Sequence, residues 1–209
     1  MKINEIFYSL QGEGKNTGLP TIFIRVTGCN LRCSYCDTKY AYYTGKELEI
    51  PKIIKKIEKY NCKNICITGG EPLLQKDITL LIDKLTEKNY NICLETNGSC
   101  SIKNISNKKN LVISLDIKCP SSNMQNKMDY SNIKLLKEED QLKFIIKNKK
   151  DYEYAKEIIE RYKPKCTVYL QPVWGTNPEK LAEWIKKDYL NVRLGLQLHK
   201  IIWGEKRGK

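Results

Sequence analysis

Short runs of β-branched and apolar residues recur along the chain, separated by stretches where apolar residues return every three or four positions. Residues 21–26, 65–68, 91–95, 111–116, 141–146, 166–170 and 192–196 read as strands. Between them, Ile50, Ile53, Ile54, Ile57 and Tyr60 make a helical stripe around Pro51, and Ile78, Leu81, Ile82 and Leu85 make a second. Ala155, Ile158, Ile159 and Tyr162 mark a third helix, and Pro178 opens a fourth carrying Leu181, Ala182 and Ile185. The segments before Leu111 and Gln141 carry little helical signal. Strands alternating with helices predict an α/β fold with a mostly parallel sheet and crossover helices. A closed (β/α)8 barrel typically needs about 250 residues, and this chain has 209. The expectation is therefore a partial, open β/α barrel forming a single domain over residues 1–209. In such sheets functional groups gather past the carboxyl ends of the strands, so a motif that directly follows a strand carries weight.

Composition narrows the class. With 41% hydrophobic and 29% charged residues the chain is globular, not disordered. No apolar run is long enough to span a membrane, and Met1–Glu5 does not open a signal peptide. A cytoplasmic location is expected. The formal charge of +13 comes mostly from Lys dispersed beside Asn and Ile; only Arg25, Arg32, Arg161, Arg193 and Arg207 are arginines. Most of this charge reads as a solvated face, with some attraction for polyanions or an acidic partner. Nine cysteines, an odd number without an export signal, read as reduced thiols, some of them available to a metal.

Three cysteines follow the first strand at once, as Cys29-x3-Cys33-x2-Cys36. Thiolates so close on one loop can converge on one metal centre. Structural zinc wants four protein ligands, and no second cysteine pair of matching spacing exists; Cys62 and Cys66 fall at a helix end and inside a strand, and His199 lies far along the chain. The other reading is a [4Fe–4S] cluster. Such clusters normally take four cysteines, so three leave one iron open to a small molecule. Cys62, Cys66, Cys93, Cys100, Cys119 and Cys166 read as small buried or strand residues.

The Cys29–Cys33–Cys36 spacing resembles the signature of the radical S-adenosylmethionine superfamily. There, the amino and carboxylate groups of S-adenosylmethionine chelate the open iron, and its reductive cleavage gives a hydrogen-abstracting radical. Tyr35 fills the place of an aromatic residue near the adenine. Gly69-Gly70-Glu71-Pro72, directly after a strand, is similar to a motif whose backbone and carboxylate hold the methionine amino group. Glycine permits close backbone approach of a ligand there.

The opening Glu5–Gly14 segment and Arg25 resemble the 7-carboxy-7-deazaguanine synthase family, as do Thr68–Pro72, Glu95–Gly98, Ser114–Lys118, Gln171–Trp174 and Gln197–Lys200. That resemblance covers nearly the whole chain. It implies ring contraction of 6-carboxy-5,6,7,8-tetrahydropterin to 7-carboxy-7-deazaguanine with loss of ammonia, on the way to queuosine and other deazapurines. S-adenosylmethionine is regenerated, and magnesium assists. Arg25 offers a planar fork for the substrate carboxylate. Leu10, Gln11 and Gly12 would read the pterin through backbone and amide, with Glu13, Thr68 and His199 as further substrate contacts. Thr38 matches a magnesium ligand; one protein oxygen suffices if water and substrate oxygens complete the octahedron. Tyr35, Cys36, Asp37 and Gly70 would hold the cofactor. So would Asp116, Ile117 and Lys118, where Asp-Ile-Lys departs from the Ser-Pro-Lys of some members. Gln171, Pro172, Val173 and Trp174 match an adenine segment, with Trp174 another departure. Glu95, Thr96 and Asn97 would shape the pocket floor. Some members place the terminal carboxylate at the substrate, but this chain runs on through Trp203–Lys209, and the role is not carried over. A homodimer and a flavodoxin electron donor are expected, with no membrane or nucleic-acid partner. Two alternatives stand beside this reading: an activating enzyme for a glycyl-radical partner, which shares the cysteine spacing, and a basic zinc-bound RNA-binding module.

Overall fold

A computed structural model describes residues 1–209. Nine strands form one sheet: β1 (Lys2–Leu10), β2 (Pro20–Val26), β3 (Lys46–Glu47), β4 (Asn64–Gly69), β5 (Asn91–Thr96), β6 (Leu111–Ile117), β7 (Gln141–Ile146), β8 (Thr167–Pro172) and β9 (Arg193–Leu194). Their order is β3-β1-β2-β4-β5-β6-β7-β8-β9. β1 and β2 are an antiparallel hairpin, and every pairing from β2 to β9 is parallel. The sheet does not close, which is the open, mostly parallel architecture expected.

The helices are α1 (Ile50–Ile57), α2 (Ile78–Glu87), α3 (Lys149–Tyr162), α4 (Pro178–Lys187) and α5 (Leu198–Trp203). Their starts follow local chemistry. Pro51 and Pro178 stand in the first turns of α1 and α4, where a missing N–H leaves nothing unpaired. The Asn148 and Asn177 side chains cap α3 and α4 by accepting from Asp151 N and Glu179 N. The weak helical signal before β6 and β7 is real: only turns and short 3-10 segments lie there.

Strand alternation separates two faces. One face carries Ile22, Ile24, Ile65, Ile67, Ile92, Leu94, Ile113, Leu115, Leu142, Phe144, Val168 and Leu170, all buried in the apolar core with Ile53, Ile57, Leu81, Leu85 and Tyr152 of the helices. The opposite face carries Arg25, Cys66, Thr68, Cys93, Glu95, Ser114, Asp116, Gln141, Lys143 and Gln171. The apolar face drives folding, at roughly 25 cal/mol per Å² of apolar surface removed from water. The polar face is therefore free to build a site. Across it, Arg25 stands opposite Thr68, and Asp116 opposite Lys143.

Several elements, among them the two-residue strand β3, whose Lys46 and Glu47 are both exposed and carry no apolar alternation, differ from the sequence expectation. β1 was absent from it: a register irregularity between Ile3 and Glu5 breaks the two-residue period there. α5 was also absent, because Ile201 and Ile202 are exposed and leave no buried stripe to detect. The expected strand over 192–196 pairs only at Arg193–Leu194, and Tyr60 lies beyond the end of α1.

Candidate active site

One cavity of about 480 Å³ opens at the carboxyl ends of the parallel strands. Its wall takes in the cysteine loop after β2, the ends of β4, β5, β6 and β8, the β1–β2 loop, and α5.

The cysteine loop is held from below. Leu31 anchors it in the core with 2% exposure. Gly28 N donates to Ala41 O at 2.9 Å, and Glu71 N donates to Gly28 O at 2.7 Å. The Arg32 guanidinium donates to Cys29 O at 2.8 Å and Leu31 O at 2.7 Å, lying over the Tyr42 ring. Two donors face the Cys29 sulfur: Leu31 N at 3.4 Å and Asn97 Nδ2 at 3.6 Å. Cys29, Cys33 and Cys36 are all unpaired, half-buried and exposed to the cavity. They are not gathered tightly enough to ligate a single ion, and no other His, Cys, Asp or Glu completes a group of three. Three thiolates on one cavity wall, with no fourth protein ligand beside them, suit a cluster that keeps one iron open. They do not suit tetrahedral zinc, which draws four ligands onto one point. The donor set therefore fits the iron–sulfur reading. Of the other cysteines, Cys66, Cys93, Cys119 and Cys166 are buried, while Cys62 and Cys100 are half-buried.

The Gly69–Pro72 turn does something different from what its resemblance implies. The Glu71 carboxylate is fully buried and does not reach the cavity. It accepts from Asn97 N at 2.6 Å, Thr96 Oγ1 at 2.8 Å and Leu73 N at 3.0 Å, tying the end of β4 to the end of β5. Burial raises its pKa, and those three donors oppose the rise. A methionine amino group could meet only the backbone of this turn. Gly70 is likewise a packing requirement: a Cβ there would fall 2.0 Å from Gly28 O.

The expected substrate residues converge. The Arg25 Nε donates to Glu5 Oε1 at 2.8 Å, and Tyr40 Oη donates to the same oxygen at 3.2 Å. The guanidinium has five N–H donors; those on its two Nη nitrogens have no protein partner and stay available as a fork. Thr68 Oγ1 donates to Glu95 Oε2 at 3.1 Å. Leu10 ends β1, and Gln11, Gly12 and Glu13 arrive on the β1–β2 loop, which reaches across to β7, where Lys15 N donates to Gln141 Oε1 at 2.8 Å. Glu13 is not a solvated acid. Its Oε2 accepts from Lys143 Nζ at 2.6 Å and its Oε1 from Gln197 Nε2 at 2.8 Å. Burial alone would raise the Glu13 pKa, but the Lys143 charge and both hydrogen bonds outweigh it and bring it down to about 2. His199 packs against Gly12, where a Cβ would lie 1.9 Å from Nδ1. Burial lowers its pKa, against the nearby Glu13 charge.

On the cofactor side, Lys118 Nζ donates to Asp116 Oδ2 at 2.8 Å. Asp116 Oδ1 is buried and makes no hydrogen bond; the Lys143 ammonium 3.3 Å away is its ion-pair partner. Tyr35 lines the cavity with a buried, unpartnered hydroxyl. Asp37 pairs with Lys200 Nζ at 2.5 Å and accepts from Thr38 Oγ1 at 2.8 Å. Gln171, Pro172, Val173 and Trp174 all line the cavity. Ile117 does not: strand alternation turns its side chain into the apolar core with 0% exposure, so only its backbone could touch a ligand. Lys143 and Lys200, both buried, were not anticipated. A lysine inside a strand run carries no motif, and Lys200, though within the Gln197–Lys200 resemblance, carries no assigned role there. Glu205 and Lys209 of the terminal segment also reach the cavity.

Comparisons with known proteins agree with this geometry. The Radical SAM superfamily model matches residues 23–187, so the chain belongs to that superfamily and is a radical S-adenosylmethionine enzyme. A 7-carboxy-7-deazaguanine synthase of Thermoplasma acidophilum is 37% identical over 208 residues, covering 100% of both chains. One of Methanospirillum hungatei is 40% identical, covering 97% of this chain and 85% of the relative. The crystal structure of QueE from Escherichia coli superposes with a TM-score of 0.77, at 24% identity, over 95% of this chain and 94% of that one. The chain belongs to the 7-carboxy-7-deazaguanine synthase family.

Proposed function

We propose that this enzyme converts 6-carboxy-5,6,7,8-tetrahydropterin to 7-carboxy-7-deazaguanine with release of ammonia. The observation that carries the reading is one cavity holding both the three cysteines and Arg25 with its open fork. Cys29, Cys33 and Cys36 would hold a [4Fe–4S] cluster. With S-adenosylmethionine bound, that cluster supplies the radical that abstracts hydrogen from substrate.

The protein's own part is binding, orientation and charge. Arg25 receives the pterin carboxylate, its Nε fixed by Glu5 so that the Nη pair faces the cavity. Glu13, held ionised, accepts from ring N–H groups. Leu10, Gln11, Gly12, Thr68 and His199 line the substrate side. Tyr35, Cys36, Asp37, Gly70, Asp116, the Ile117 backbone, Lys118 and residues 171–174 line the cofactor side. Thr38 would supply one oxygen to magnesium, which would help hold and polarise the substrate. Residues 1–209 act as a single domain, as a homodimer in the cytoplasm, reduced by a flavodoxin drawn to the basic surface. No helix is long and apolar enough to cross a membrane. Nothing found favours a glycyl-radical activating enzyme or a zinc-bound RNA-binding module.

The test is anaerobic purification, reconstitution with iron and sulfide, and incubation with reductant, S-adenosylmethionine, magnesium and the carboxypterin. A brown protein that releases 7-carboxy-7-deazaguanine is expected. A protein that takes up no cluster refutes the radical chemistry, and one that cleaves the cofactor but leaves the pterin intact refutes the substrate.

A further inference from the structure

Lys143 stands in β7 and lines the cavity. Its side chain is 4% exposed, with the ammonium 2.6 Å from Glu13 Oε2 and 3.3 Å from Asp116 Oδ1. Glu13 belongs to the β1–β2 loop, and Asp116 to the end of β6. Gln197 holds the far oxygen of Glu13, and Lys118 the far oxygen of Asp116. The chain Gln197–Glu13–Lys143–Asp116–Lys118 thus crosses the cavity floor, with hydrogen bonds at every link except Lys143–Asp116, which is an ion pair.

We propose that Lys143 is a positioning residue that couples pterin binding to S-adenosylmethionine binding. This rests on the synthase reading. A buried ammonium must be compensated by carboxylates that stay in place. Here the two compensating groups lie on segments that meet different ligands. A pterin that orders Glu13 fixes Lys143, and Lys143 in turn fixes Asp116. A cofactor that orders Asp116 acts in reverse, because coupling free energy is reciprocal.

The groups facing this network are Glu95 from β5, Asp116 from β6 and Lys118 just past it, Glu13 from the β1–β2 loop, Arg25 from β2, Asp37 from the cysteine loop, and Gln197, His199 and Lys200 from the α5 segment. Of these cations, Lys143 alone touches carboxylates on both sides.

The test uses the reconstituted holoenzyme without reductant, so that no turnover occurs. Binding of 6-carboxy-5,6,7,8-tetrahydropterin is titrated calorimetrically with and without S-adenosylmethionine, and the converse is measured. Wild type is expected to show each ligand tightening the other by the same factor, about 5- to 150-fold. Lys143→Met should bring that factor within about twofold of unity, and Lys143→Arg should retain it. Lys143→Met should also make pterin affinity fall more steeply than wild type between pH 8 and pH 6. Glu13, buried without its cation, then takes up a proton and stops accepting. A merely structural role would weaken binding equally at both pH values. If Lys143→Met does not fold, Glu13→Gln cuts the same link from the loop side and must abolish the coupling factor. Two independently bound ligands in wild type, or coupling that survives in Lys143→Met, overturns the proposal alone. A wild-type holoenzyme that binds S-adenosylmethionine but no pterin overturns the synthase reading, and this proposal with it.

Discussion

Gly70→Ala separates two explanations of the Gly-Gly-Glu-Pro turn. If Gly70 is glycine so that a ligand can approach, alanine weakens cofactor binding and spares the apo protein. The structure argues otherwise. The new Cβ would lie 2.0 Å from Gly28 O, 2.4 Å from its carbonyl carbon and 3.0 Å from Cys29 N. These are backbone atoms already fixed by Glu71 N and Ala41 O, so no side chain can swing aside. Reaching even a 3.0 Å contact requires about 1 Å of displacement, against the roughly 0.2 Å that metal–ligand distances tolerate. The movement falls on Cys29. Overpacking of this kind costs about 1–3 kcal/mol, or about 2–12 °C in Tm for a chain of this size. The assay is iron and sulfide per chain after anaerobic reconstitution, with the melting temperature of the apo protein. Gly18→Ala is the control: φ there is +88° with open space around the position, so it carries backbone strain without a clash and should bind a full cluster. If Gly70→Ala also binds a full cluster and melts within about 2 °C of wild type, the packing argument is wrong.

Other outcomes follow from the same geometry. Arg25→Ala removes a charged hydrogen-bonding fork, a loss of about 1.5–3 kcal/mol; pterin should bind about 10- to 150-fold more weakly, while cluster content and uncoupled cofactor cleavage stay at wild-type levels. Glu13, whose pKa drops from 4.5 to about 2 on folding, stabilises the protein above pH 4.5 and loses that contribution as pH falls toward 2. Denaturant melts of wild type and Glu13→Gln should therefore converge as pH falls across this window; curves that stay parallel would refute the Lys143 pairing. Tyr152 Oη lies 2.9 Å from Trp184 O and 3.0 Å from Asp188 Oδ2, away from the cavity, with its one proton shared between these two acceptors. Tyr152→Phe should lower stability by about 1 kcal/mol, some 2–4 °C in Tm, with turnover unchanged.

Elements whose stability comes from a one-sided apolar face were legible in the sequence. α2 buries Ile78, Leu81, Ile82 and Leu85, the stripe that its periodicity displays. The cysteine loop, Arg25 and Thr68 were legible because each ends a strand, and parallel pairing brings strand ends together. What stayed hidden depends on side-chain partners. Glu71 looks like a ligand in sequence, yet three protein donors consume its carboxylate. Lys143 looks like a solvated lysine among many and is 4% exposed. Nothing local distinguishes it, since its partners Glu13 and Asp116 are distant in sequence and meet it only across the sheet. Its hydrogen bond to Glu13 spans 130 positions.

The charges around the cavity also explain why so polar a floor is stable. Isolated buried ions would each cost several kcal/mol after relaxation. Here Arg25 faces Glu5, Lys118 faces Asp116, Lys200 faces Asp37, and Lys143 is shared by Glu13 and Asp116. Glu95 is the exception. It has no ion pair, accepts only from Thr68, and its pKa is raised by burial and by the Glu13 and Asp116 charges, with Lys143 opposing. Pairing within the protein keeps these buried charges compensated while no ligand is bound. The groups left open are the Arg25 fork and Glu95: a cation for a carboxylate, and an acceptor for a ligand that brings N–H donors and a sulfonium charge. A carboxylated pterin and S-adenosylmethionine together supply those complements.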